Sequence, residues 1–325
     1  MSKSNILSRI FFGVVLLILF WSLMTGAVSL AVIIGAVALG LLWALMTTGV
    51  YISFRVLTIP DLTVEGSIVL GAATASVAIA AGIHPLVATM MAMFAGTLAG
   101  LCTGLLHTKL HIPPLLSGIL SMIALYSVNI RVMGFSANIS LLRVDTVFTP
   151  VINMGFDRNP ATIIVGLFFV VSVVLLIYWF FNTEIGNALR ATGNNETMAK
   201  AQGINTGTTK LLGLALANTL VGLSGGLMAQ YFGFSDVQMG QGAIVIGLAS
   251  LFIGEVLFAK HHFMRTLVAL VLGAITYRVV IALVLAAGMR ATDLNLFTAI
   301  TVAIALFLPH IKNKLDTQVK NKKEK

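Results

Sequence analysis

NTEIGNALRATGNNETMAKAQGINTGTTK, residues 182–210, is a polar segment in a chain that otherwise carries little charge. It lies between two apolar runs, Ala161–Phe181 and Leu211–Phe232, each long enough to cross a membrane, because a span needs about 20 apolar residues. A polar stretch of this length has no favourable place in hydrocarbon, so the chain must leave the membrane here. We therefore expect a helical membrane protein with an exposed polar segment that a partner outside the membrane contacts.

The composition extends this prediction to the whole chain. Of 325 residues, 58% are hydrophobic and only 10% are charged, and the mean hydropathy is +1.01. These values are typical of a polytopic α-helical membrane protein, and the apolar runs are too long and continuous for barrel strands. The sequence predicts ten spans: Ile10–Leu23, Val28–Phe54, Ser67–Ala81, Leu86–Leu106, Leu116–Val132, Ala161–Phe181, Leu211–Phe232, Gly242–Phe258, Thr266–Gly288 and Leu294–Leu308.

Basic residues set the predicted orientation. Ten spans place both termini on the same side of the membrane. If the N-terminus is inside, the inner segments hold nine basic residues and the tail holds six, so fifteen of the twenty Lys and Arg residues lie on the inner side. This excess on the inner side follows the positive-inside rule, so both termini and the polar segment are predicted to be cytoplasmic. We expect one transmembrane domain over residues 1–311 and a basic cytoplasmic tail over 312–325. The net charge of +9 does not indicate nucleic-acid binding, because the basic residues are scattered and lack interleaved aromatics.

The polar segment has its own local signals. Asn194 or Asn195 can cap a short helix over Glu196–Gln202, and Gly203 is a natural stop. The next membrane helix has two capping candidates, Asn205 and Thr206. We expect a short helix across the cytoplasmic face, fixed at both ends, although a solvated connector that is merely helical would show similar signals.

A second polar motif follows the second apolar run. Pro60 disfavours helix at Ile59, so a helix is predicted to end or break here. Asp61 can cap the helix that follows, and Glu65 lies four residues on. Two readings stay open: a broken helix that lines a translocation path, or a cytoplasmic turn with a capping Asp61 and a solvated Glu65.

Arg278 lies within a predicted span, where a bare guanidinium costs at least about 2.5 kcal/mol. It is expected to face the protein interior, and Glu255 is the candidate ion-pair partner, although the two lie at different depths. A contact with the carboxylate of a substrate is the alternative. Asn218 adds an amide to the seventh span; it favours an interhelical hydrogen bond but is also a candidate for the translocation pathway.

Several patterns do not indicate catalysis. Ser224 lies in a Gly-x-Ser-x-Gly pattern inside an apolar span instead of at a strand-to-helix turn, so a membrane-embedded hydrolase is only a third alternative. No GxxxxGK[ST] motif occurs, so this chain is not predicted to hydrolyse ATP. The single Cys102 and the paired histidines lack the ligand pattern of a metal site. We predict no catalytic residue, no metal and no cofactor bound by this chain.

Three separated motifs resemble one family. Residues 183–204 follow the pattern T-x-x-G-x-x-x-R-A-x-G-x-N and then A-x-x-x-G-I, which resembles the coupling segment of ABC importer permeases of the branched-chain amino acid and ribose type. Residues 61–72, DLTVEGSIVLGA, resemble the motif that opens an early helix of these permeases. IGEV at 253–256, YR at 277–278 and DL at 293–294 complete the resemblance, which covers most of the chain from about residue 50 to 308 in the order of the family.

The resemblance implies a type II ABC importer permease fold, with separate sets of residues for ATPase coupling and for the translocation pathway. The expected ATPase-coupling residues are Arg190, Gly193, Asn195, Ala199, Gly203 and Ile204. The expected pathway residues are Asp61, Glu65, Arg278 and Asn218. The implied partners are an ATP-binding cassette ATPase, an extracytoplasmic substrate-binding protein, a second permease copy and membrane lipid, in the cytoplasmic membrane of a prokaryote.

The predicted function is that of the membrane subunit of an ATP-driven importer for a small solute, an amino acid above other classes. Residues 61–67 look closest to the branch associated with tryptophan or tyrosine. An ion- or proton-coupled secondary transporter that works without an ATPase is the alternative, with Asp61, Glu65 and Arg278 as coupling charges. Dependence on an ATPase partner separates the two.

Overall fold

The computed structural model describes residues 29–258, 262–286 and 288–290, together with 293, 296, 298 and 299. Helices dominate this part of the chain, and two three-residue strands accompany them. The helices are α1 (Leu30–Val50), continued by a π-helical turn (Tyr51–Val56), α2 (Thr63–Ala80), α3 (Pro85–Thr108), α4 (Pro114–Val132), α5 (Thr149–Ile152), α6 (Arg158–Phe181), α7 (Glu184–Asn194), α8 (Glu196–Ala201), α9 (Thr206–Phe232), α10 (Ala243–Leu257) and α11 (Phe263–Ala286). The strands are β1 (Asn138–Ser140) and β2 (Phe234–Asp236).

Seven helices in the described part are long and apolar enough to cross a membrane: α1 with its π-helical turn, α2, α3, α4, α6, α9 and α11. The helix α10 is apolar but has only 15 residues. The first predicted span, Ile10–Leu23, and the tail at 312–325 lie outside the described residues, as does most of the last span, Leu294–Leu308. The multi-pass helical architecture is confirmed, whereas ten spans and the side of the termini stay predictions.

Small residues let α9 pack closely against α2 and α3. A Cβ on Gly100 would collide with the carbonyl oxygen of Leu214, and one on Gly71 would collide with Gly222. Backbones at this separation pack by direct van der Waals contact, which lipid does not replace. Ser224 adds a hydrogen bond across helices, from its Oγ to the carbonyl oxygen of Leu42 at 2.8 Å. α9 is therefore the central helix of the bundle, and its small and polar residues serve packing.

The predicted helix break near Pro60 is confirmed. α1 passes into the π-helical turn, where Leu57 N–H donates to the Ile52 carbonyl at 3.0 Å, and the helix then stops. Thr58 adopts a left-handed backbone with φ 57°, and α2 starts only at Thr63. Isolated π turns interrupt α-helices and are common at functional sites. Residues 57–62 form a connector, the name used below, between the π-helical turn and α2.

The segment between α4 and α6 is structured by a short strand pair at the end of the bundle remote from the polar segment. β1 and β2 pair antiparallel, with Ile139 opposite Ser235. The segment also holds the short helix α5. Arg158 stacks on the ring of Tyr231 at 5.5 Å from the centroid and donates to its backbone carbonyl. These contacts fix the start of α6 to the end of α9.

Candidate functional site

The polar segment of residues 182–210 folds into two short helices instead of the single one predicted. α7 starts after Thr183, whose Oγ1 accepts from Gly186 N–H at 3.3 Å. α8 starts after Asn195, whose Oδ1 accepts from Met198 N–H at 3.0 Å, and Gly203 beyond it has φ +81°. The predicted cap at Asn195 and the stop at Gly203 are confirmed. Sequence reasoning missed α7, although the Thr183-to-Gly186 spacing carries its capping signal.

Asn205 caps the membrane helix that follows, because its Oδ1 accepts from Thr208 N–H at 3.1 Å. Glu196 in the first turn of α8 pairs with Lys210 at 2.7 Å and Lys200 at 3.0 Å. Hydrogen bonds from Lys210 and Lys200 lower the pKa of Glu196 to about 2. α8 is thus tied to the start of α9 by a charged pair as well as by its caps.

One face of α7 packs against the membrane domain. Leu189 is fully buried, and Gly193 lies so close to the end of the π-helical turn that a Cβ would overlap the carbonyl oxygen of Val56. Thr192 shares a hydrogen bond with Thr209 of α9 at 2.9 Å. Gly193 therefore belongs to the contact between α7 and α1, and its side is closed to a partner.

Arg190 also faces inward. Its guanidinium lies 4.0 Å from the ring centroid of Phe263 and 5.1 Å from that of Phe181. Partial burial lowers the pKa of Arg190, and the two rings offer cation–π contacts in place of a carboxylate. Ala199 is fully buried as well. Of the six predicted coupling residues, Arg190 and Gly193 thus contact the bundle itself, and Ala199 is buried.

Other side chains of the polar segment are exposed. Ile185 is 52% and Met198 is 50% exposed, although both are apolar. Asn195 and Gly203 are exposed beside them, and Ile204 is partly buried. Sequence reasoning missed Ile185 and Met198, because without coordinates an apolar residue in a short helix is indistinguishable from one that faces the bundle.

Asp61 lies in the interior of the bundle. It is 2% exposed; its Oδ2 accepts from Asn218 Nδ2 at 2.7 Å, and its Oδ1 accepts from Thr63 N–H at 3.0 Å. Ser67 completes the network by donating to Asn218 Oδ1 at 2.7 Å. The predicted cap at Asp61 is confirmed by its bond to Thr63 N–H, and because Asn218 lies near the middle of α9, this capping carboxylate is inside the bundle. The connector runs back into the bundle, as a broken helix would.

Glu65 is one turn further along α2 and has a different environment. It is partly exposed, and its Oε1 accepts from the N–H of Gly242, just before α10, at 3.1 Å. Gly247, in the second turn of α10, packs on Met46 and Val50 of α1, so α10 begins well inside the bundle. Glu65 therefore caps a short helix that starts at depth, where free N–H groups favour a carboxylate.

The predicted pair between Glu255 and Arg278 is wrong. Glu255 pairs with Arg55 of the π-helical turn at 2.9 Å. Arg278 instead lies over the ring of Trp43, 4.2 Å from its centroid, and its Nε has no hydrogen-bond partner in the described part of the chain. The depth mismatch explains the error, because Glu255 lies at the end of α10 beside Arg55, whereas Trp43 and Arg278 lie in the interiors of α1 and α11.

Comparison with known proteins places the chain in a family. A family model described as the permease component of the branched-chain amino acid transport system matches residues 32–308. The chain is a member of this permease family. It is 41% identical to a tyrosine transport system permease protein of Clostridioides difficile over 283 residues, which cover 85% of the permease and 93% of that relative.

Two further relatives are more distant. An uncharacterized protein, RP368, of Rickettsia prowazekii is 32% identical over 79% of the permease and 90% of its own length. The autoinducer 2 import system permease protein LsrC of Yersinia pseudotuberculosis is 25% identical over 60% of the permease and 54% of LsrC. The resemblance drawn from residues 61–72 and 183–204 is thus confirmed at the level of the family. The protein is a multi-pass permease of an ABC import system.

Proposed function

We propose that this permease imports an aromatic amino acid, tyrosine above others, with energy from ATP hydrolysed on a separate ATPase chain. The proposed substrate rests on the 41% identity to a tyrosine transport system permease, over 85% of this chain and 93% of that relative. The separate ATPase is supported by the sequence, which contains no phosphate-binding GxxxxGK[ST] motif.

The ATPase docks on the exposed face of the polar segment in this proposal. Ile185 and Met198 are each about half exposed on a segment that also packs against the bundle through buried Leu189. Exposed apolar side chains with a polar rim are typical of protein-binding surfaces. The inward contacts of Arg190 and Gly193 support a different role for those residues, which is to fix the segment to the membrane helices.

The polar residues at depth divide into two groups. Asp61 and Asn218 are hydrogen-bonded to each other inside the bundle, which favours a structural role for both over a place on the translocation pathway. Glu65 is partly exposed and Arg278 has a free Nε–H in the described part, so these two are the pathway candidates. A charge exposed at this depth requires water or a partner, because contact with lipid is costly.

The assembly that we propose is a pair of permease copies in the cytoplasmic membrane of a prokaryote, served by an extracytoplasmic binding protein and surrounded by lipid. A path between two copies would give Glu65 the polar surroundings that it needs. Binding of the ATPase pair in its closed and open states would then favour different helix arrangements.

Reconstitution tests the proposal. Liposomes that contain the permease and its ATPase are loaded with ATP on the ATPase side, binding protein is added on the opposite side, and uptake of labelled tyrosine is measured. We expect uptake that stops when ATP is replaced by a non-hydrolysable analogue. Uptake by the permease alone, driven by a proton gradient, would support the secondary transporter instead.

A further inference from the structure

Gly193 of α7 and Asn218 of α9 are linked through the six-residue connector between the π-helical turn and α2. We infer that this connector carries the movement of the polar segment into the bundle, so that α7, the connector and the middle of α9 move as one body. The inference rests on the proposed function, since it names the route by which an ATPase acts on the pathway.

At its first end, the connector is held by backbone contact. A Cβ on Gly193 would overlap the carbonyl group of Val56, the last residue of the π-helical turn, and would lie 3.0 Å from Cα of Leu57, the first residue of the connector. Real Cβ atoms essentially never come within 3.0 Å of another residue, so only glycine permits this contact. No side chain that could rotate away lies between the two backbones, and a displacement of α7 is therefore passed on directly.

Side chains close the same contact from both sides. Leu57 is 2% exposed and fits against Gly213 of α9, where a Cβ would lie 2.5 Å from Leu57 Cδ1 and 3.1 Å from Leu189 Cδ1. Thr58 has φ 57°, a backbone conformation that is uncommon outside glycine, and its Oγ1 lies 3.4 Å from the Gly193 carbonyl oxygen. The start of the connector is thus enclosed by α7 and α9.

At its other end, the connector is held by buried polar groups. Asp61 bonds Asn218 at 2.7 Å, and Leu62 N lies 2.8 Å from the position of a Cβ on Gly118 of α4. Between the two ends, Ile59 is 5% exposed, and its N–H donates to the Ser53 carbonyl at 2.9 Å. Leu57, Ile59 and Asp61 are buried, and a segment held at both ends in this way transmits displacement better than a free loop, because packed interiors deform little.

A second route also joins α7 to α9. Thr192 and Thr209 share one hydrogen bond at 2.9 Å. This contact involves two rotatable side chains, whereas the Gly193 contact joins two backbones. The connector is therefore the stiffer route, and the two can be broken separately.

The first test compares variants in the reconstituted complex of permease, ATPase and binding protein. For Gly193→Ala we expect the ATPase to co-purify and to hydrolyse ATP, while the amount of substrate taken up per ATP falls about tenfold, within the usual range of coupling energies. Gly207→Ala is the matched control in the same segment, because its Cβ would come no closer than 3.4 Å to another residue. Thr192→Val is expected to lose less than Gly193→Ala.

Equal uptake per ATP for Gly193→Ala and Gly207→Ala overturns the inference, as does a larger loss for Thr192→Val. Absence of ATP-driven uptake with the unaltered permease contradicts the proposed function instead, so the two failures are distinguishable.

A second measurement does not depend on the folding of Gly193→Ala. Cys102 is the single cysteine, so a Cys102→Ser background permits spin labels at Thr58 and Asn194, both exposed, with a third position at exposed Leu272 of α11, a helix that does not pack on α9 as α3 does. We expect the 58–194 distance to stay constant between the nucleotide-free and ATP-trapped complexes while the 58–272 distance changes. A change in the 58–194 distance as large as that in the 58–272 distance overturns the inference.

Discussion

The polar segment at 182–210 and the motif at 61–67 both place polar groups beside membrane helices, but the hydrogen-bond partners of these groups differ between the two regions. In the polar segment, Thr183, Asn195 and Asn205 each accept a hydrogen bond from the backbone N–H three residues further along the chain. In the motif, Asp61 also reaches across to Asn218, and Glu65 reaches to Gly242. The caps of the first region are thus all local and leave Ile185 and Met198 exposed for a partner, whereas the carboxylates of the second also depend on groups that only the assembled bundle provides.

The largest expected effect comes from charging the free face. Ile185→Asp is expected to abolish both ATPase co-purification and ATP-driven uptake, because a carboxylate would be buried in an apolar contact. The folded permease itself should be unaffected, since Ile185 is 52% exposed. Co-purification from detergent measures binding, and Asn187→Asp, on the same helix, controls for added charge. Normal ATPase binding by Ile185→Asp would refute the assignment of this face.

Substitution of Arg278 tests whether a polar side chain inside the bundle contacts the substrate. Arg278→Gln and Arg278→Met are both expected to assemble with the ATPase but to lower uptake by about tenfold or more, as the loss of one charged contact does. Uptake and gel-filtration profiles are measured together. If both variants fail to assemble, the stacking of Arg278 on Trp43 is structural, and the pathway assignment is wrong.

Substitutions of Asp61 and Glu65 compare the buried carboxylate of the motif with the partly exposed one. Asp61→Ala leaves the buried Asn218 amide and Thr63 N–H without their partner, so we expect a loss of about 2–4 kcal/mol in the free energy of unfolding. Glu65→Ala is expected to lose about 1 kcal/mol, because it removes only a partly exposed cap. Denaturant unfolding in mild detergent compares the two. An equal loss would contradict the structural division between them.

The substitution Glu196→Gln is expected to have the smallest effect on stability, and that effect depends on pH. The pKa of Glu196 in the folded state is about 2, below the ordinary 4.5, so its stabilisation is fully present above pH 4.5 and is lost as pH falls toward 2. The contribution is expected to stay below about 1 kcal/mol, because its side chain is 39% exposed and water screens the pair. The melting temperatures of wild type and Glu196→Gln should differ by a constant amount from pH 8 to 5 and converge as the pH falls from 4.5 toward 2. Glu184→Gln is the control for removal of a carboxylate.

Sequence reasoning succeeded where the cause is local. The cap at Asn195, the stop at Gly203 and the break before Asp61 each depend on a few neighbouring residues, and the structure contains all three. Close packing at Gly100 was also predictable, because helix periodicity alone places small residues on one face.

It failed where the partner lies far along the chain. Glu255 was matched to Arg278 as the nearest intramembrane charge, but the π-helical turn places Arg55 beside it. Gly193 and Arg190 carry the family motif, which says nothing of whether they face the ATPase or the bundle. Only the packing of α7 against Val56 and Phe263 decides that these residues face inward.

Uptake of labelled tyrosine by liposomes that contain the permease, its ATPase and its binding protein tests the central claim most directly, with wild type and Ile185→Asp measured side by side. The account predicts ATP-dependent uptake for wild type and none for Ile185→Asp. Equal uptake by the two permeases, or uptake that persists without any ATPase, would contradict it.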